Sequence, residues 1–206
     1  MFIYDLPNLF AILIVILVSF RIGLIPLWLS FFLWLLAFTP FFLNEVLFPA
    51  SYMPDQFQYY NFSKGIRSFD LENLSESGTV ENASWILALI PLPYIETIQS
   101  LGFFNRFLLT VLTIWLYSSK NLRGWPLLFI VFYPSLLLYS SLALRDTLVL
   151  IFMILSVILF IENRRLLASI TALPLLLIKF QNFLLVIVFF VAHLYFSRDS
   201  FVYRYR

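Results

Sequence analysis

The chain has 206 residues, of which 62% are apolar, 20% aromatic and 12% charged, and its formal net charge is +2. Ordinary soluble domains are roughly 45–50% apolar and about 25% charged. A globule of this length cannot hide so much oily side chain, because most of its surface must be wetted. A soluble enzyme, a disordered chain and a nucleic-acid module are excluded, and the bilayer is the expected solvent. No cysteine is present, so there is no disulfide, thiolate catalysis or Cys-ligated metal. A single histidine rules out a His-cluster metal site. No cofactor is read from the sequence.

A membrane-crossing helix needs about 20 mostly apolar residues. In chain order the candidates are 6–20, which ends at Arg21, and 22–43, which has Pro26 near its start and Pro40 near its end. A polar stretch over 44–84 follows. Residues 85–101 are apolar but interrupted by Pro91 and Pro93, which predicts a short, kinked or re-entrant piece. The remaining candidates are 103–117, 125–144, 147–161, 166–178 and 183–196. The fold class is therefore all-α: a polytopic helix bundle with about six to eight membrane helices and no strand. It forms a single membrane domain over 1–206, with one long outer-face loop over 44–84. The first segment lacks a basic leader and a small-residue cleavage site, so it reads as a retained helix rather than a signal peptide.

Lys and Arg concentrate on cytoplasmic loops. Arg21, Lys120 with Arg123, Arg164 with Arg165, and the tail Arg198, Arg204 and Arg206 fall on one side if the spans alternate. Residues 44–100 carry seven acids and two bases, which places them outside. The start of that loop is too aromatic for a free linker and is expected at the headgroup level, whereas 70–84 reads as true loop. Asn61, Asn73 and Asn82 begin Asn-x-Ser triplets, which a loop rich in Asn and Ser yields by chance.

Few side chains can carry chemistry. Asp55 follows a membrane helix on the outer side; beside an apolar surface it could act as a general base or a metal ligand, or it could simply cap a helix after Pro54. Arg145 and Asp146 are adjacent between two apolar runs. Asp146 suits a helix start, and Arg145 could grip a phosphate there; the plainer reading is a solvated turn. Lys179, followed by Gln181 and Asn182, is a cation at an outer helix end that could also snorkel. His193 reads as a packing residue, and Arg106 and Arg21 read as topology anchors. Asp55, Arg145, Asp146 and Lys179 all fall on the outer face beside helix ends. A basic pocket with one carboxylate suits a lipid-linked pyrophosphate donor: cations steady the diphosphate leaving group while the acid activates a hydroxyl.

The order of these features resembles the polytopic bacterial polymerases of O-antigen, capsule and exopolysaccharide, within the multi-spanning glycosyltransferases of the C-type membrane fold. The matching pieces are Asp55-Gln-Phe-Gln-Tyr-Tyr60, Tyr133-Pro-Ser135, Ser140-Ser141, Leu144-Arg145-Asp146 and Lys179-Phe-Gln181. Where that pattern has Arg-Pro-Gln or Arg-Pro-Tyr, this chain has Lys179-Phe180-Gln181, and Lys keeps the charge without the bidentate grip. The chain is also short for such a polymerase, as a minimal version, a truncated reading frame or an inactive relative would be. The resemblance implies transfer of a polyprenyl-diphosphate-linked oligosaccharide at the outer face of the bacterial cytoplasmic membrane. Asp55 would be catalytic, and Tyr59, Arg145, Asp146, Lys179 and Gln181 would bind substrate. The partners implied are membrane lipid and the lipid-linked sugar, with no nucleic acid. A flippase for lipid-linked sugars and a non-catalytic assembly partner are the alternatives.

Overall fold

A computed structural model describes residues 2–44, 46–69, 78–89, 95–122 and 124–203. The readings at Pro91 and Pro93, at Glu45, Asp70, Glu72, Glu76 and Asn73, and at Arg123, Arg204 and Arg206 lie outside them. Among the described residues the chain is all-helical, with eleven α-helices, one 3₁₀ turn and no strand. In chain order these are α1 (Phe2–Arg21), α2 (Leu27–Ala37), α3 (Thr39–Leu43), the 3₁₀ turn Ala50–Tyr52, α4 (Asp55–Ser68) and α5 (Gly78–Leu89). Next come α6 (Ile98–Ser118), α7 (Trp125–Phe132), α8 (Pro134–Tyr139), α9 (Asp146–Ile161), α10 (Arg165–Ile178) and α11 (Phe180–Tyr203).

Among the described residues two helices, Ile3–Arg21 and Ile98–Ser118, are long and apolar enough to cross a membrane. Shorter apolar helices cover Leu27–Leu43, Asp146–Ile161, Arg165–Ile178 and Phe180–Phe196. Two stretches differ from the sequence reading. The apolar run 125–144 is split, because Pro134 has no N–H to continue α7; α8 starts there and ends in a non-helical segment at 140–145. The stretch read as loop over 70–84 is helical from Gly78, since α5 carries four polar residues before its apolar run.

Helix ends follow local chemistry. Gly23 sits at φ 77°, and the bonds Leu24 N–H to Ser19 O (2.9 Å) and Gly23 N–H to Phe20 O (3.0 Å) close α1 in a Schellman motif. Asn163, at φ 62°, does the same after α9, with Arg164 N–H on Leu159 O at 2.9 Å. At the other end of a helix, Thr97 caps α6 in a reciprocal capping box with Ser100.

The chain divides into two compact units, Met1–Thr147 and Leu148–Arg206. In the first, α6 is the central element: α1, α2, α3, α4 and α7 all pack on it, and α4 packs along α5. Its buried residues include Gln99, Ser100, Asn105, Arg106, Thr110 and Thr113 as well as Phe103 and Phe104. In the second unit α10 packs on α11 through a single stripe, Ala168, Ala172, Leu175 and Ile178, with Val186 and Phe190 buried on α11.

Candidate functional site

The segment between α8 and α9 is the natural starting point, because a break in helical bonding leaves carbonyls that water or side chains must satisfy. Residues 140–144 are buried, so side chains do it. Asn105 Nδ2 donates to the carbonyls of Leu142 and Leu144, both at 2.7 Å. Arg106 Nη2 donates to Leu137 O at 3.0 Å and to Ser141 Oγ at 2.8 Å. Gln56 Oε1 of α4 accepts from the Ala143 N–H at 3.1 Å and from Asn44 Nδ2 at 3.3 Å. Thr39 Oγ1 of α3 pairs with Ser141 Oγ at 2.9 Å. The turn also lies hard against α6: a Cβ on Gly102 would collide with the Ser141 carbonyl oxygen. Only glycine lets the two backbones meet there.

This arrangement corrects one sequence expectation. Arg106 is not an anchor at a membrane surface; it is 2% exposed, in the body of α6. Its setting was encoded, since Gln99, Gly102, Arg106, Thr110 and Thr113 recur at spacings of three and four and mark a helix face turned toward protein.

The same turn delivers Arg145 and Asp146. Asp146 is the first residue of α9, where the helix dipole favours a carboxylate, and both side chains are half-buried. Facing them is α4, whose buried stripe is Gln56, Tyr59, Phe62, Ser63 and Ile66. Tyr59 lies one turn beyond Gln56 and is 3% exposed. Burial pushes its hydroxyl up to about 12, with Arg145 pulling it down and Asp146 and Asp55 pushing it further up. The phenol thus stands in the fields of three charged groups from two distant stretches of chain. Asp55 itself is exposed in the first turn of α4, directly after Pro54 at the N-cap. The arrangement brings a guanidinium and two carboxylates within electrostatic reach of a buried phenol.

Elsewhere in this unit α6 begins on a second polar cluster. Asp5 of α1 is fully buried, and its carboxylate accepts from Thr97 Oγ1 (2.8 Å) and Ser100 Oγ (2.6 Å). Nearby, Tyr60 donates to Glu96 O at 2.7 Å, and Lys64 meets Glu96 at 3.8 Å in an exposed pair that contributes little to stability. Arg67 Nε donates to Ala88 O at 3.2 Å, tying α4 to α5, and burial lowers its pKa.

In the second unit Lys179 is half-buried at the break between α10 and α11, with φ −155° and its N–H on Leu175 O at 2.8 Å. Its carbonyl accepts from Asn182 N–H at 2.9 Å, which starts α11. Gln181 is exposed, and Asn182 Nδ2 reaches Met153 Sδ at 3.0 Å. His193 packs among Phe160 and Phe189, with ring centroids 5.7 Å and 6.0 Å away.

Among the described residues no group of three or more His, Cys, Asp or Glu could hold a metal ion. An apolar cavity of about 470 Å³ adjoins the turn, lined by Thr39, Phe42, Phe48, Ser135 and Leu137 among others. Of these, Leu137 accepts from Arg106, and Thr39 bonds to Ser141. Compared with family models, curated proteins and solved structures, the chain matches none. The residues that sequence reasoning passed over are Asn44, Gln56, Asn105 and Asp5. Each is a polar side chain whose partners lie between 12 and 95 residues away.

Proposed function

We propose that this protein is a multi-pass membrane glycosyltransferase of the polysaccharide-polymerase type. It would act at the outer face of the bacterial cytoplasmic membrane on a polyprenyl-diphosphate-linked oligosaccharide. The observation that supports the reading is that Gln56 of α4 bonds to the turn that carries Arg145 and Asp146, and that Tyr59, one turn along α4, feels the charges of Arg145, Asp146 and Asp55. A guanidinium beside a neutral phenol donor suits a diphosphate, which needs charge and directional donors together. Asp55, exposed at the start of α4, is open to an acceptor hydroxyl as general base. The cavity behind the turn is apolar and suits a hydrocarbon tail.

The bilayer half of the proposal rests on surface chemistry. On α10 and α11, Leu173, Leu177, Leu185, Val188 and Val191 are all more than half exposed, and an apolar surface that extensive belongs against lipid. The shorter apolar helices then cross with tilt or with charged ends reaching the interface.

The purified protein in lipid should extend a polyprenyl-diphosphate-linked repeat unit. Arg145→Ala should lower turnover on the order of 10²–10³-fold, the scale of losing one transition-state charge contact. Unchanged product length with Arg145→Ala would remove the catalytic reading. Passage of the substrate across vesicles without bond formation would favour transport instead.

A further inference from the structure

We propose that Asn105 and Arg106 are positioning residues: two adjacent side chains of α6 fix the turn at 140–144 and thereby the backbone from which Arg145 projects. Four hydrogen bonds carry the argument. Asn105 Nδ2 holds Leu142 O and Leu144 O, and Arg106 Nη2 holds Leu137 O and Ser141 Oγ. Together they span the turn from the last residues of α8 to the residue before Arg145. All four donors come from one rigid helix, which Gly102 allows to approach the turn at backbone distance.

Burying both groups is costly, and Arg106 Nε and Asn105 Oδ1 lack a hydrogen-bond partner among the described residues. An apolar pair at these positions would avoid that cost but take from Leu144 O the bond that Asn105 gives it, leave Leu142 O and Leu137 O with only their local bonds to Leu144 N–H and the Ser140 and Ser141 hydroxyls, and free the turn to shift. Gln56 grips the same turn from α4 through Ala143 N–H, so the helix that carries Tyr59 is keyed to the turn that carries Arg145. The positional part of the inference stands on this geometry alone; its consequence for glycosyl transfer rests on the proposed function.

The chain contains no cysteine, so spin labels can be placed by Phe57→Cys on the exposed side of α4 and Arg145→Cys on the turn. The full-length protein in lipid should give a narrow distance distribution. Asn105→Asp replaces a double donor with an acceptor facing two carbonyls, and should broaden or shift the distribution at about pH 8. Partial recovery is expected toward about pH 5, where a buried carboxyl regains a proton and one O–H donor. Arg106→Lys, which keeps charge and a donor, should lie between wild type and Arg106→Met. A general loss of stability would show in a parallel denaturation curve, whereas a displaced turn changes the distance within protein that is still folded.

An unchanged narrow distribution in Asn105→Asp and Arg106→Met overturns the proposal. If Asn105→Asp fails to fold, Asn105→Gln and the Arg106 pair decide by the same criterion. In the label-free protein the displaced turn should cost on the order of 10²-fold in turnover, the scale of a misplacement of about 1 Å. A displaced turn with undiminished transfer would remove Arg145 from the chemistry while leaving the positioning role intact.

Discussion

Helices α6 and α11 are both apolar by composition, yet they solve opposite problems. Most of α6 is buried, 72% of its candidate span, and it spends that burial on amides, hydroxyls and a guanidinium. Along α11 the apolar side chains Leu184, Leu185, Val188 and Val191 point outward, 47–63% exposed, with only a thin buried stripe. In a bilayer the rules of a water-soluble core are reversed: hydrocarbon outside costs nothing, and specificity inside comes from hydrogen bonds and close backbone approach. The two helices therefore predict opposite sensitivities. Polar-to-apolar changes should harm α6, and apolar-to-charged changes should harm α11.

The largest expected effect tests the second half of that contrast. Val188→Arg on the exposed face of α11 should cost about 3 kcal/mol of insertion free energy if lipid covers that face. An insertion assay with reporter sites flanking the helix reads this directly, and Val188→Leu is the neutral control. Normal insertion with Arg at that position would mean that water, not lipid, meets α11.

Next comes the buried carboxylate. Asp5→Ala leaves the Thr97 and Ser100 hydroxyls without their acceptor and should lower unfolding stability by roughly 2–3 kcal/mol, because charged hydrogen bonds are being lost. Asp5→Asn should cost about half as much, since one acceptor oxygen remains. Chemical denaturation in mild detergent compares the two.

The smallest effect belongs to Tyr59. Its hydroxyl is held near 12 rather than the ordinary 10. Between those values the folded protein keeps a proton that the unfolded chain has released, so stability falls as pH rises through that window. Below about pH 10 the group contributes no pH dependence. Tyr59→Phe should therefore flatten the stability profile between about pH 10 and pH 12 and leave it unchanged at neutral pH. A stability-against-pH series on the two proteins checks the slope.

The sequence revealed the helices well, because continuous apolar runs carry that information locally. The runs at 166–178 and 183–196 correspond to α10 and α11, with Lys179 at the break. Arg145 and Asp146 were legible as a charged interruption between two apolar runs. Arg106 was misread for a physical reason: one cation near the end of an apolar run looks the same whether it reaches for water or for a buried carbonyl. The polar stripe from Gln99 to Thr113 would have decided between them. Gln56 and Asn44 gave no such signal, because their partners lie across loops whose closure no local pattern encodes. The helical start of α5 at Gly78 was hidden by its polar first turn, where loops and helix beginnings share the same residues.

Asp5 also sets a timetable for assembly. Its two hydroxyl partners lie 92 and 95 residues further along the chain. At roughly 5–20 residues per second, ribosomal synthesis reaches them some 5–20 s after Asp5 is made. Until then α1 can pack on α2 but carries an acid whose two hydroxyl donors do not yet exist. This polar lock therefore closes only once the start of α6 has been made.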